Sequence, residues 1–222
     1  MRNRFVSLAV LIFGFILMAQ SRTVPNADSA AVNKKARYLK GDLTILLSRN
    51  TNYPTEKLAP NSGGKGEGDV ILSVVIHKEG KSEFLAVVSS PELAFTTSAV
   101  LAFNKLEDEW SPAIVDNVPV DKNYLIVFRY RKYMDIQPYD YNGRIKDLLS
   151  RQKYKEALKT LNRAINDNKY SKELLGSRAK VKRMLGEAEG ADAEELAAKK
   201  INDEILSLVT VQVVVISTRR AM

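Results

Sequence analysis

The sequence predicts an α+β fold: a three-stranded antiparallel sheet backed by helices, followed by an all-α helical domain. Two stretches, residues 70–76 and residues 124–131, have the apolar and β-branched composition of strands. Beyond residue 143 the apolar residues recur with the period of a helix instead. This change of period divides the chain into a part with strands and a part built from helices.

The N-terminal segment predicts export. Arg2 and Arg4 precede an uncharged segment, residues 5–19, which is shorter than the ~20 apolar residues of a membrane-spanning helix. Small and polar residues follow it, as at a signal-peptidase site. We therefore expect residues 1–20 to be a cleaved signal peptide and residues 21–33 to be a flexible leader. The alternative is an uncleaved anchor in the inner membrane that faces the periplasm.

The first domain is predicted over residues 34–132. It begins with a short amphipathic helix over residues 34–48, interrupted by Gly41, and a glycine-rich loop leads to Gly68. This loop does not fit a phosphate-binding motif, because it leads into a strand rather than a helix.

A hairpin and a helix follow the loop. The strand over residues 70–76 turns at the polar residues 78–81 into a second strand over residues 84–88. Residues 93–106 then have the apolar spacing of a helix that packs on the sheet. Residues 124–131 form the third strand, which we place at an edge of the sheet.

The rest of the chain is assigned to a linker, helices and a tail. Residues 133–143 contain Pro138 and Asn142-Gly143 and are predicted to be a linker, and residues 144–208 to be helices. Residues 209–222 begin with a β-branched run, which favours strand over helix. Both a capping helix and an added strand remain open for this tail.

Composition limits the classes of function. The chain has a formal net charge of +8, one histidine and no cysteine, so thiol catalysis and thiolate or histidine-rich metal sites are not expected. No basic run is interleaved with aromatic residues, so nucleic acid is not an expected partner. We predict no enzyme activity, no cofactor and no metal, and membrane contact that is peripheral or made through an uncleaved N-terminus.

Three conspicuous features are interpreted structurally. Trp110, the only tryptophan, is predicted to fill the core between helix and sheet. His77 is expected to be a solvated or hydrogen-bonded residue at a strand end. Residues 107–109, all acidic, are expected to be a solvated helix end rather than a catalytic pair.

Residues 38–132 resemble the C-terminal domain of TonB-family energy transducers. The resemblance rests on the order and spacing of short motifs: Gly41-Asp42, Tyr53-Pro54, Gly68-Asp69-Val70, Trp110-Ser111-Pro112-Ala113, Asn117 and Phe128-Arg129-Tyr130. It implies a periplasmic module that binds an extended segment, the TonB box of outer-membrane transporters, by strand addition. Another protein's peptide segment would bind in the same way.

The resemblance also implies the binding residues. The predicted peptide-binding edge consists of Tyr124, Leu125, Ile126, Val127, Phe128, Arg129, Tyr130 and Arg131. Its backbone would pair with the peptide, while the two arginines would favour acidic residues nearby. Tyr53 and Pro54 either line the peptide groove or cap the first helix.

Residues 141–201 resemble tetratricopeptide repeats. Tyr154, Ala157, Leu161 and Ala164 have the spacing of the packing positions of such a repeat. This resemblance supports an alternative function, a periplasmic scaffold or adaptor without energy transduction, in which the sheet domain docks or forms a homodimer. Because no proline-rich spacer is found, we expect a protein that captures a partner rather than one that pulls on it.

Overall fold

The structure is a computed structural model that describes residues 32–54, 66–134 and 139–215. The predicted signal peptide, nearly all of the predicted leader and most of the glycine-rich loop lie outside these ranges. Strands and helices follow one another in the order β1 (Val32–Lys34), β2 (Arg37–Tyr38), α1 (Leu43–Asn50), β3 (Gly68–Ile76), β4 (Ser82–Ser89), α2 (Leu93–Phe103), β5 (Trp110–Ser111), β6 (Ala113–Val115), β7 (Val118–Val120), β8 (Lys122–Met134), α3 (Tyr141–Ser150), α4 (Tyr154–Asp167), α5 (Lys172–Met184), α6 (Ala188–Glu204) and β9 (Ile205–Val215).

The strands of the described residues form three sheets. The largest has the order β4-β3-β8-β9, and two small sheets have the orders β1-β6-β7 and β2-β5. In the large sheet β4, β3 and β8 are antiparallel, whereas β9 is parallel to β8. The predicted mixture of helices and strands is confirmed, but the large sheet has four strands and not three.

The main core lies on one face of the large sheet, against α1 and α2. Alternate residues of β3 and β8 point to this face, as the two-residue period of a strand requires. Its fully buried members include Val70, Leu72, Val74, Ile76, Ile126, Phe128, Leu47, Phe95 and Ala99. Trp110 joins this core with 3% of its surface exposed, and its ring lies 4.9 Å from that of Tyr38. The prediction for Trp110 is confirmed.

The turn between β3 and β4 depends on Gly80. This residue has a φ of +81°, and a Cβ atom there would lie 2.6 Å from the carbonyl oxygen of Trp110. Gly80 and Trp110 are also joined by a hydrogen bond, which the backbone N–H of Trp110 donates to the carbonyl of Gly80. Only glycine fits both the conformation and the space.

The four C-terminal helices pack in succession, α3 on α4, α4 on α5 and α5 on α6. The apolar stripe of α4, Ala157, Leu161 and Ala164, is buried together with Ile145, Leu148 and Val181. A third cluster joins the C-terminal helices to the second face of the sheet. In it, Ile201 and Tyr170 pack against Ile71, Val127 and Ile205. The helices therefore form an insertion between two neighbouring strands, β8 and β9, of one sheet.

Two local predictions are corrected. Residues 34–39 were expected to begin a helix but contribute to the short strands β1 and β2, and α1 starts only after Gly41, with Asp42 as its N-cap. The helix expected to reach residue 208 ends at Glu204, and β9 begins at Ile205, four residues before the β-branched run. Of the two forms considered for the tail, its described part, residues 209–215, is an added strand.

Candidate functional site

The strand predicted to be a free edge is an interior strand. β8 pairs with β3 from Lys122 to Tyr130 and with β9 from Leu125 to Met134. Of the predicted site, Leu125, Ile126, Val127, Phe128, Arg129 and Tyr130 are therefore paired on both sides, while Tyr124 is paired only with β3 and Arg131 only with β9. The prediction of a free edge at these residues is wrong. The error arises because β8 pairs with β9, a strand distant in sequence, and local periodicity does not reveal such a pairing.

The side chains of these residues divide between the two faces of the sheet. Tyr124, Ile126, Phe128 and Tyr130 are buried in the main core. Val127 is buried on the opposite face. There the Nε of Arg129 lies 3.3 Å from the carboxylate of Asp69, and Arg131 Nη2 lies 3.1 Å from the same oxygen.

Tyr53 takes part in the core rather than in an open groove. Its ring packs edge-on against Phe95 and Tyr130, with ring centroids 5.6 and 6.2 Å apart. Its hydroxyl donates to the carbonyl of Gly66. Tyr53 and Pro54 follow the end of α1, whose C-cap is Thr51, so neither expectation, groove lining or helix cap, describes the contacts of Tyr53.

One edge of the large sheet is now β9. No residue from Ile205 to Val215 is charged, and none is glycine or proline. The single irregularity in its pairing with β8 lies at its start, between the partners of Leu125 and Ile126. Among the residues that the structure describes, no strand pairs with the outer side of β9.

The first residues of β9 are covered. Lys35 Nζ donates to the carbonyl of Ile205 and, at 2.7 Å, to that of Asn202. The hydroxyls of Thr44 in α1 and Ser207 lie 2.9 Å apart. Residues 210–215 lie beyond this cover, and their side chains are half-buried or exposed. We call residues 210–215 the open edge.

Lys35, whose ammonium group covers the start of β9, has a lowered pKa. Burial, followed by the positive charge of Lys172, lowers the pKa of Lys35 to about 8. Burial likewise raises the pKa of the Tyr130 hydroxyl, to about 12. The open edge itself carries no titratable side chain, so its backbone is its main means of binding.

The opposite edge of the sheet, β4, is irregular. Its register with β3 shifts twice, and the shifts leave Leu85 and Val88 as extra residues without a partner. Each extra residue is a β-bulge, which bends and twists an edge strand. Both side chains are exposed, Leu85 to 40% and Val88 to 58%.

His77 lies next to acidic side chains just after β3. Ligand atoms of His77, Glu79 and Asp121 lie within 4.8 Å of one another. However, Nδ1 of His77 lies 3.2 Å from Asp121 and Nε2 lies 3.3 Å from Glu83. The bond to Asp121, more than that to Glu83, raises the pKa of His77. Both ring nitrogens of His77 therefore lie within hydrogen-bond distance of a carboxylate, and His77 is hydrogen-bonded as predicted.

Sequence reasoning missed the site at β9 although a signal was present. The β-branched run from Val209 onward was recognised as favouring a strand, but its partner was not identified.

The chain was also compared with known protein families, characterised proteins and solved structures, and no match was found. In the described ranges, no helix is both long and apolar enough to cross a membrane.

Proposed function

We propose that this chain is an exported, periplasmic protein-binding module that captures an extended peptide by strand addition. The binding site is the outer side of β9, along the open edge, rather than residues 124–131. The observation that carries this proposal is the regularity of β9: a strand without charge, proline or late bulge presents unpaired N–H and C=O groups in an even row. Such a row is a template for another strand.

The family and the partner are part of the same proposal. The antiparallel strands β3, β4 and β8 of the large sheet, with α2 packed on them, are consistent with the sheet backed by helices that the resemblance to the TonB C-terminal domain implies, although the short strands β5, β6 and β7 lie between α2 and β8. The helical pairs α3–α4 and α5–α6 are consistent with two tetratricopeptide-like repeats. With a signal peptide over residues 1–20, the expected partner is an extended periplasmic segment such as the TonB box of an outer-membrane transporter.

The open edge fits capture better than permanent assembly. Each backbone hydrogen bond contributes only ~1 kcal/mol net, and part of this gain is offset by the lost freedom of the peptide. A ladder along residues 210–215 therefore gives modest, reversible affinity. This is suited to a module that binds and releases a partner.

The test uses one peptide in three forms. A ten-residue TonB-box segment of a transporter from the same genome is titrated into the protein by calorimetry, unmodified, N-methylated at odd residues, and N-methylated at even residues. A strand presents alternate N–H groups to each side. Strand addition therefore predicts that one methylated form binds nearly as well as the unmodified peptide, and that the other binds at least about tenfold more weakly because it loses several hydrogen bonds.

A matched pair of variants locates the site. Val214 in β9 and Val88 in β4 are both exposed valines, to 45% and 58%. A lysine on an edge strand opposes pairing, so Val214→Lys should weaken binding while Val88→Lys leaves it unchanged. Equal binding of both methylated peptides would contradict strand addition and favour the scaffold alternative. Loss of binding only in Val88→Lys would move the site to β4.

A further inference from the structure

A large open groove lies between the second face of the sheet and the helices. Its volume is about 1170 Å³, above the common range of small-ligand sites. β8 and β3 contribute Arg129, Arg131 and Asp69 to its lining, and the first residues of α3 and α5 lie at its rim. The groove is on the face opposite α1 and α2.

Arg129 is buried in this lining without a full set of partners. Only 4% of the residue is exposed, and its Nη2 has no hydrogen-bond acceptor among the described residues. Its link to Asp69 is long, 3.3 Å, and Arg131 shares the same carboxylate oxygen. Two guanidinium groups therefore face one carboxylate. A buried cation with so little compensation is costly unless another acceptor completes it.

A second lining residue, Asn168 at the C-terminal end of α4, also has a buried polar atom, Oδ1, with no hydrogen-bond partner among the described residues. The backbone N–H of Asn168 is already used, since it donates to the carbonyls of Ala164 and Ile165. Within the described part of the chain, Arg129 thus has a donor and Asn168 an acceptor that no other residue uses.

Most of the acidic groups in the lining are already engaged by the chain's own donors. Asp69 accepts from the two arginines, Asp140 from the N–H of Gly143, Asp167 from the hydroxyl of Tyr141, and Glu173 from the hydroxyl of Ser171; the remaining carboxylate, Glu67, is exposed. The positive ends of α3 and α5 also lie at the rim. A ligand that completes this groove would therefore bring an anionic acceptor for Arg129 and, next to it, a donor for Asn168.

The geometry points to a binding site for an α-carboxylate with an adjacent N–H donor, as at the C-terminus of a peptide. The carboxylate would accept from Arg129 Nη2, and the neighbouring N–H would donate to Asn168 Oδ1. A free amino acid has the same two groups and is the other source of this chemistry. The groove meets the open edge at Thr210, but the proposed contacts are made by the side chains of Arg129 and Asn168 and not by the backbone of β9, so the inference does not rest on strand addition.

The experiment follows the two side chains directly by NMR. Chemical shifts of the Nε–Hε group of Arg129 and of the Asn168 side-chain amide are recorded on the full mature chain. Three probes are added: a library of N-acetylated tripeptides with free carboxylates, the same library with C-terminal amides, and a mixture of free amino acids. We expect both signals to shift with the carboxylate library and to stay in place with the amides. A matching shift with the amino acids would identify them as the source.

Variants tie the shifts to the site. Arg129→Met should weaken binding of the carboxylate library at least about tenfold, since a hydrogen bond to a charged group is lost. Arg49→Met removes an exposed arginine of α1 on the other side of the sheet and should change nothing. Asn168→Ala, which leaves Arg129 in place, should weaken binding several-fold. This variant tests the same site if Arg129→Met fails to fold. Absence of any shift with carboxylates, or equal shifts with the amides, would overturn the inference.

Discussion

The two edge strands of the large sheet, β4 and β9, differ in how regularly they present their outer backbone groups to another strand. Both expose one row of backbone groups, which favours pairing with another chain. β4 carries two bulges, at Leu85 and Val88, that interrupt the row. β9 has no bulge after its first residues, and the described residues that cover it, Lys35 and those of α1, lie at its start. The chain therefore interrupts pairing at one edge and leaves a regular stretch, the open edge, at the other.

The largest expected effect separates the two strands by their role in the core. Val209 of β9 is fully buried in the main core, whereas Val88 of β4 is exposed. Val209→Asp places an unpaired charge in this core and should lower the free energy of unfolding by at least ~3 kcal/mol. Val88→Asp should change it by no more than ~0.5 kcal/mol. Urea denaturation measures both, and similar losses would contradict the assigned roles.

A smaller effect is expected when the β4 bulge is removed. Deleting Leu85 would let Ala86 follow Phe84 directly in the pairing with β3, which straightens the edge. The variant should self-associate more strongly than the parent chain, as measured by sedimentation velocity over a concentration series. Leu85→Ser keeps the bulge and should not increase association. Unchanged association after the deletion would mean that the bulges do not protect this edge.

The cover on β9 should make stability depend on pH. Because burial lowers the pKa of Lys35 to about 8, the unfolded chain keeps this proton up to higher pH than the folded chain. The free energy of unfolding should therefore rise between pH 8 and pH 10 through this group, and Lys35→Met should remove that rise. Denaturation curves of both chains at several pH values test this, and identical pH profiles would contradict the burial of Lys35.

The smallest effect is expected at the turn that leads into β4. His77 is paired with Asp121 and Glu83 near the surface, and the bond to Asp121 raises its pKa. The stabilisation is fully present below pH 6.5 and is lost as the pH rises through the folded-state pKa. His77→Gln should therefore cost less than ~1 kcal/mol at pH 5.5 and still less at pH 9. A cost that grows with pH would contradict an imidazolium pair.

The strands and helices that depend on local patterns could be predicted from the sequence. Alternation identified β3 and β8, the polar turn before Ser82 identified the hairpin with β4, and the apolar stripe identified α4. The β-branched signal from Val209 onward was also local. Its partner was not, because β8 and β9 are separated by four helices and no periodicity encodes a pairing over that distance.

The candidate site was missed for the same reason. Residues 124–131 have the composition of an edge as well as of an interior strand, and only the arrival of β9 decides between them. Arg129 and Arg131 were noticed as a source of positive charge. Their shared carboxylate, Asp69, and the groove that Arg129 and Asn168 line depend on packing between distant segments.

Hydrogen exchange of the backbone amides tests strand addition at β9, since it compares the two edges of the sheet in one measurement. In the free protein, alternate amides of the open edge that point outward should exchange rapidly. On addition of the TonB-box peptide, we expect these amides to become protected while the exposed amides of β4 exchange as before. Protection confined to β4 or to the helices, with residues 210–215 unchanged, would contradict strand addition at β9.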